Sequence, residues 1–290
     1  MMTGVQVIAK TAELRERLNA VRTRGATVGF VPTMGALHAG HASLLTVARR
    51  ENDFVVTSIF VNPLQFDRKA YLETYPRTIA EDLATCAACG TDLVFAPGVE
   101  DLYPAEQLTF VDVPALSENL CGASRPGHFR GVATVVLKLF NVVQADRAYF
   151  GEKDAQQLAV IRRMVQDLNV PVEVVPVATV READGLALSS RNKHLSAAQR
   201  ENAPVLARAL RAVLELFDSG ERSVAEAIAR VLPMFSQVPE CRLEYFEVVD
   251  PATLRPVERA DVPVLAIGAM WMGTTRLIDN MRSSSDARTS

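Results

Sequence analysis

The order of apolar segments predicts a doubly wound α/β domain built on a parallel sheet, followed by a smaller α+β domain. Three observations carry that prediction. Strand-like and helix-like segments alternate over the first two-thirds of the 290 residues, the pattern of successive βαβ units. Residues 54–61 form an almost unbroken run of β-branched and aromatic side chains, as suits a parallel strand covered on both faces. After about Val180 the alternation stops, and two helix-like stretches precede three strand-like ones.

Taken in order, residues 11–24 read as an amphipathic helix, 27–31 as a buried strand and 39–51 as a helix. The strand 54–61 leads to a helix at 77–88 and a short strand at 93–95. Val132, Val135, Val136, Leu139, Val142 and Val143 repeat at helical spacing, which places a helix over 132–143. A strand at 148–150, a helix at 155–168 and a strand at 172–177 complete the alternation. Residues 1–180 are thus expected to form a Rossmann-like domain, whose ligands sit at the carboxyl ends of the strands. Residues 181–290 form the smaller α+β domain, with helices at 196–217 and 224–235, Ser196 as N-cap, and strands at 242–249, 262–270 and 275–279. The polar stretch 181–192 lies at the junction, and 283–290 reads as a frayed tail.

Composition narrows the function. Hydrophobic residues make up 49% and charged residues 22%, enough for a sizeable core. A net charge of −3 leaves no basic excess to neutralise a nucleic-acid backbone. Cys86 and Cys89 make a C-x-x-C without a second Cys/His pair at zinc spacing, so they read as buried small hydrophobes. No signal peptide and no membrane-spanning run is expected, and a cytoplasmic protein with reduced thiols follows. No Walker A motif, nucleophile elbow or metal-ligand cluster is present.

The most informative stretch is Val31-Pro32-Thr33-Met34-Gly35-Ala36-Leu37-His38-Ala39-Gly40-His41. A strand, a glycine turn and a helix start make a phosphate cradle, because the first turn of a helix presents unpaired N–H groups to an anion. His38 and His41, three apart, share a face of that helix start. Imidazoles there can donate charged hydrogen bonds to phosphate oxygens. Gly151-Glu152-Lys153-Asp154 also follows a strand. Lysine at a helix start opposes the helix dipole, which marks Lys153 as a phosphate clamp, and Asp154 suits a ribose hydroxyl. Ser189-Ser190-Arg191-Asn192 offers two hydroxyls and a forked guanidinium, suited to a pyrophosphate. The turn Asn62-Pro63-Leu64-Gln65-Phe66 ends the strongest strand. Its amides, with one of Gln156 and Gln157, suit a polar hydroxylated acid, since an amide orients a carboxylate without blunting its nucleophilicity as arginine would. His128, in the shaped loop 125–131, reads as a structural wall residue.

These segments, with Tyr75-Pro76-Arg77-Thr78, the stretch 184–192 and Arg276-Leu277-Ile278-Asp279-Asn280, closely resemble the pantoate–β-alanine ligase family of the HIGH-type nucleotidyltransferases. The likeness covers nearly the whole chain. It implies that pantoate carboxylate attacks the α-phosphorus of ATP, and that the amine of β-alanine then attacks the pantoyl adenylate to give pantothenate and AMP. By this resemblance Met34, Gly35, Ala36, Leu37, His38, Ala39, Gly40 and His41 line the ATP site, with His41 as the assigned proton donor. Gly151, Glu152, Lys153, Asp154, Val180, Leu188, Ser189, Ser190 and Arg191 complete it, and His38, His41, Lys153 and Arg191 carry the chemistry. Gln65 and Gln157 would bind pantoate, and Gln65 would border β-alanine. Mg2+ would ride on the phosphates, and a homodimer is implied. Ala155 and Leu64 stand where many relatives carry Phe and Met. An adenylate must be kept from water, so residues 67–75 and the second domain, with its Ser189–Arg191 loop, are expected to cover the site. Two other readings stay open: another nucleotidyltransferase of the superfamily, and a non-catalytic ATP-binding module.

Overall fold

The computed structural model describes residues 5–66 and 69–283. The chain divides into two compact units. One runs to Glu152 and resumes over Gln156–Ala178; the other joins Lys153–Ala155 to everything from Thr179 onward.

The first unit holds a six-stranded sheet of β1 (Gln6–Ile8), β2 (Val28–Thr33), β3 (Phe54–Ile59), β4 (Leu93–Phe95), β5 (Arg147–Gly151) and β6 (Glu173–Val177). The order is β1-β4-β3-β2-β5-β6, and every pairing is parallel. Successive strands step outward from β2 in one direction as far as β4, and the next crossover lands β5 on its other side. The order therefore reverses between β2 and β5, and the carboxyl ends there form the usual ligand crevice. Helices cover both faces, as the unbroken apolar strands require. Val31 packs on one face with Leu44, Leu45 and Ala48 of the helix Ala39–Glu51. Its neighbour Phe30 points the opposite way and meets Phe140 of the helix His128–Val143 edge to face at 6.4 Å. Cys86 is fully buried in the first of these layers, where burial pushes its thiol up to about 11. It is a packing residue, protonated at neutral pH.

The second unit carries an antiparallel sheet of β7 (Cys241–Val249), β8 (Leu265–Met272) and β9 (Thr275–Arg282), in that order. Leu206, Leu210 and Val213 of the helix Val205–Asp218 pack with Ala266 and Met270 of β8 in one core. The expected helix over 196–217 is two helices, Ala197–Asn202 and Val205–Asp218. Pro204 separates them, because it has no N–H to give the preceding turn. Pro233 likewise splits the stretch 224–235 into Val224–Val231 and Pro233–Ser236. Ser196 caps its helix as expected, accepting the Gln199 N–H at 3.2 Å. Ser283 is not frayed: its N–H donates to the Val264 carbonyl at 2.9 Å. Residues 284–290 lie outside the described residues. Among the described residues no helix is long and apolar enough to cross a membrane.

Candidate active site

The segment after β2 turns through two residues with left-handed backbone, Gly35 (φ 80) and Ala36 (φ 52). A Cβ on Gly35 would lie 2.9 Å from Asp82 Oδ2, so both conformation and space call for glycine. Asp82 is buried at 2% exposure. Its carboxylate accepts the N–H of Ala36 at 3.1 Å and of Leu37 at 2.7 Å, and the Thr78 hydroxyl at 3.2 Å. Thr33 accepts the Gly35 N–H at 3.2 Å and donates its hydroxyl to the Ser58 carbonyl at 2.7 Å. Asp82 is a residue the sequence reading missed. Its signal was present: a carboxylate four positions before the buried Cys86, on the inward stripe of the helix Ile79–Ala88.

This anchored turn delivers the two histidines. His38 is the N-cap of the helix Ala39–Glu51, its Nδ1 accepting the Gly40 N–H at 3.1 Å. His41 Nδ1 accepts the backbone N–H of His38 at 3.3 Å. The rings lie 4.2 Å apart, centroid to centroid. With each Nδ1 receiving a backbone hydrogen, the neutral rings carry their protons on Nε2. The pair therefore closes the helix start and keeps an N–H donor on each ring. The Gly40 N–H is spent on His38 and is not open to a ligand, a correction to the picture of a fully uncapped first turn.

Beside it, at the same edge of the sheet, the chain leaving β3 makes a 3-10 turn over Pro63–Gln65. Asn62 is 1% exposed. Its Nδ2 donates to the Gly131 carbonyl and to Gln65 Oε1, each at 3.1 Å. Its Oδ1 accepts the Tyr103 hydroxyl at 2.8 Å and the Leu64 N–H at 3.4 Å. Gln65 Nε2 contacts Met34 Sδ at 3.0 Å, which joins the amide turn to the histidine loop. The Gln65 carbonyl is held by His128 Nδ1 at 2.8 Å and Arg125 at 3.5 Å. Gly151 ends β5 at the same edge of the sheet, paired with Val177. Of the two glutamines after it, Gln156 is buried and bound, donating to the carbonyls of Leu116 (2.9 Å) and Asn119 (2.8 Å) and accepting the Cys121 N–H (3.0 Å). Gln157 is half-buried and makes no side-chain hydrogen bond among the described residues.

In the second unit a small cavity is lined by Lys153, Ser189, Arg191, Asn192, Arg276 and Asp279, with apolar walls from Leu206 and Ile278. It brings together three of the expected phosphate-binding residues. The Lys153 carbonyl accepts Asn280 Nδ2 at 2.9 Å. Next to Asn280, the 3% exposed Asp279 takes both arms of Arg181, at 2.6 and 2.9 Å. Arg181 pairs with Ala187 across a tight hairpin, and Val180 accepts the Leu188 N–H at 3.0 Å. The hairpin leads into Ser189, whose hydroxyl accepts the Arg191 N–H at 3.3 Å and starts the 3-10 turn Ser190–His194. Asn192 ties that turn back through Glu182 Oε1 at 3.0 Å, and Arg200 bridges Glu182 and Asp184. The Arg200 hydrogen bond holds the Asp184 carboxyl below the usual range. Asp154 is exposed, and Glu152, Ser190 and Leu188 are half-buried. Arg276 was not expected in the cavity; it is braced by Glu244 at 2.8 Å through both Nε and a terminal nitrogen.

Comparison with known proteins gives the arrangement its place. The family model for pantoate-beta-alanine ligase matches residues 6–282. The chain is similar to pantothenate synthetase of Moorella thermoacetica, 51% identical over 277 residues, covering 96% of this chain and 98% of that protein. Among solved structures it resembles the pantothenate synthetase of Thermus thermophilus at 50% identity and TM-score 0.91, over 97% of this chain and all of that one. It also resembles the Francisella tularensis pantoate-beta-alanine ligase complexed with Beta-gamma ATP and Beta-alanine, at 32% identity and TM-score 0.78, over 97% of this chain and 99% of that one. Matched along nearly its whole length by family model, relatives and solved structures alike, the chain belongs to the pantoate-beta-alanine ligase family.

Proposed function

We propose that the protein condenses pantoate with β-alanine, consuming ATP, through a pantoyl adenylate. The observation that carries this reading is the shared sheet edge in the first unit. There a histidine-capped helix start and an amide turn stand side by side, joined by the Gln65–Met34 contact. One suits phosphate and the other an uncharged grip on an acid.

A free carboxylate has no competent leaving group, so pantoate must be activated. Its carboxylate attacks the α-phosphorus, the bond to the bridging oxygen breaks, and pyrophosphate leaves. The amine of β-alanine then attacks the acyl carbon, loses a proton, and AMP departs. Phosphoryl transfer asks mainly for positioning and charge stabilisation. Met34, Gly35, Ala36, Leu37, His38, Ala39, Gly40 and His41 line the triphosphate, and His38 and His41 donate through Nε2. Protonation at Nδ1 would displace a backbone donor from each ring, so we assign both rings to charge stabilisation rather than proton transfer. Lys153 holds α-phosphate oxygens; Ser189, Ser190 and Arg191 hold the β- and γ-phosphates. Gly151, Glu152, Asp154, Val180 and Leu188 surround the nucleoside. Gln65 and Gln157 hold pantoate, and Gln65 borders β-alanine. Among the described residues no group of His, Cys, Asp or Glu is set to hold a metal; Mg2+ enters as part of the MgATP substrate. Residues 67–75 act as cover, positions 67 and 68 lying outside the described residues. The working form is a homodimer, which light scattering would check.

One assay tests the reaction. Purified protein with ATP, Mg2+ and pantoate should release pyrophosphate in an amount limited by enzyme, and β-alanine should add turnover with AMP. Pyrophosphate without any AMP on adding amine would point to another nucleotidyltransferase, and neither product to a binding module. Lys153→Ala should slow adenylate formation by about a hundredfold or more, with nucleotide binding weakened far less.

A further inference from the structure

We infer that the Gly131 carbonyl and the Leu64 N–H, acting through Asn62, fix which end of the Gln65 amide faces the acid substrate, and that the Tyr103 hydroxyl braces Asn62 in that orientation, so that Tyr103 is a positioning residue for pantoate. The inference rests on the reading of Gln65 as a pantoate ligand and deepens it.

An amide can be flipped end for end, and only its partners decide the orientation. For Asn62 the decision is made by the backbone. The Gly131 carbonyl can only accept, so the Asn62 atom facing it at 3.1 Å must be Nδ2. The Leu64 N–H can only donate, so the atom facing it at 3.4 Å must be Oδ1. The Tyr103 hydroxyl, 2.8 Å from Oδ1, is therefore the donor. The second hydrogen of Nδ2 goes to Gln65 at 3.1 Å, so the Gln65 atom there must be Oε1. What remains at the other end is the Gln65 NH2 group, one hydrogen toward Met34 Sδ and one left to give. The turn thus presents a donor, suited to a carboxylate or hydroxyl oxygen and hostile to a cation.

Two features keep this polarity from relaxing. Gly131 allows the close approach of the helix His128–Val143 to the turn: a Cβ there would lie 2.3 Å from the Leu64 carbonyl oxygen and 2.7 Å from the Gln65 nitrogen. Tyr103 is flanked by Phe60, its ring tilted by 44° at 6.1 Å between centroids, and by the Lys138 ammonium, 4.9 Å from its ring. Burial pushes its phenol far above the usual range, so it stays protonated and stays a donor.

The test is a double-mutant cycle read as KM for pantoate, with KM for ATP and kcat recorded alongside. Gln65→Ala should raise KM for pantoate about tenfold. Gln65→Glu should raise it further, because it turns an oxygen toward the acid. Tyr103→Phe should raise it about fivefold with kcat and KM for ATP within about twofold, an effect of the size expected for one buried hydrogen bond. In the Gln65→Ala background Tyr103→Phe should add nothing. The side-chain NH2 signal of Gln65, identified by its loss in Gln65→Ala, should shift or broaden in Tyr103→Phe at full folding, a second readout independent of turnover. A full fivefold effect persisting without Gln65, or Gln65→Glu milder than Gln65→Ala, overturns the inference while leaving Gln65 a pantoate ligand. Gln65→Ala without effect on pantoate overturns the acid-site reading and this inference with it.

Discussion

The loop at residues 33–41 and the hairpin with its following turn at 181–192 are both expected to touch phosphate, but they are secured differently. The first is tied from within: a buried carboxylate collects two backbone N–H groups and a hydroxyl, and two successive left-handed residues shape the turn. The second is tied at its rim, through Arg200 to Glu182 and Asp184, with side chains roughly a third exposed or more. Only the Arg181–Asp279 pair beneath it has a buried member. Rigidity therefore comes mainly from the interior. Removing an internal tie costs the full desolvation penalty of the groups it satisfies, whereas a rim tie is screened by water and salt.

The contrast can be broken most directly at Asp82. Asp82→Ala leaves two N–H groups without their acceptor and should destabilise the protein by about 3 kcal/mol, seen by chemical denaturation, with adenylate formation down by about a hundredfold. Gly35→Ala comes next. A side chain forced into left-handed backbone against Asp82 should cost about 1–3 kcal/mol, and KM for ATP should rise well ahead of any change for pantoate. At the rim, Arg200→Met should cost under about 1 kcal/mol, and its effect on KM for ATP should be no more than about threefold and should shrink as salt is raised.

The smallest effect concerns acid. Asp184 has a folded-state pKa below its unfolded value, so the stability it adds is fully present above the ordinary carboxylate value near ~3.9 and is lost as pH falls through the depressed one. Asp184→Asn should therefore flatten the stability profile only below about pH 4, leaving neutral activity close to the parent's. An equal change at about pH 5 and about pH 2.5, on either side of that range, would show that the rim tie acts through packing instead.

Much of this was readable from the residues. The run at β3 announced a covered parallel strand, and the helix Ala39–Glu51 begins and ends where its periodicity says. The histidine motif, the amide turn and Gly151 were each placed after a strand, and parallel pairing then puts them at one edge. What escaped detection was long-range or very short. β1 has three residues and a single buried side chain, too little for a period to register. Asp82 shares the inward stripe of its helix with Cys86, but the backbone groups it holds, at Ala36 and Leu37, are far away in sequence. Gln156 and Gln157 are chemically identical neighbours, and only the buried carbonyls at 116 and 119 distinguish the one used for construction. The helix breaks at Pro204 and Pro233 were legible and were overridden by a persistent apolar stripe.

The brief excursion of Lys153–Ala155 into the second unit has a practical corollary. Severing the polypeptide after Ala178 would strand this lysine on a fragment lacking Asn280, whose amide grips its carbonyl. Neither fragment could then hold both Lys153 and the Asn280 that bonds its carbonyl, so swapping modules between homologues at that seam would part the lysine proposed to clamp phosphate from its backbone tie. Chimeras meant to retain turnover have to carry residues 153–155 and 179–283 from the same parent.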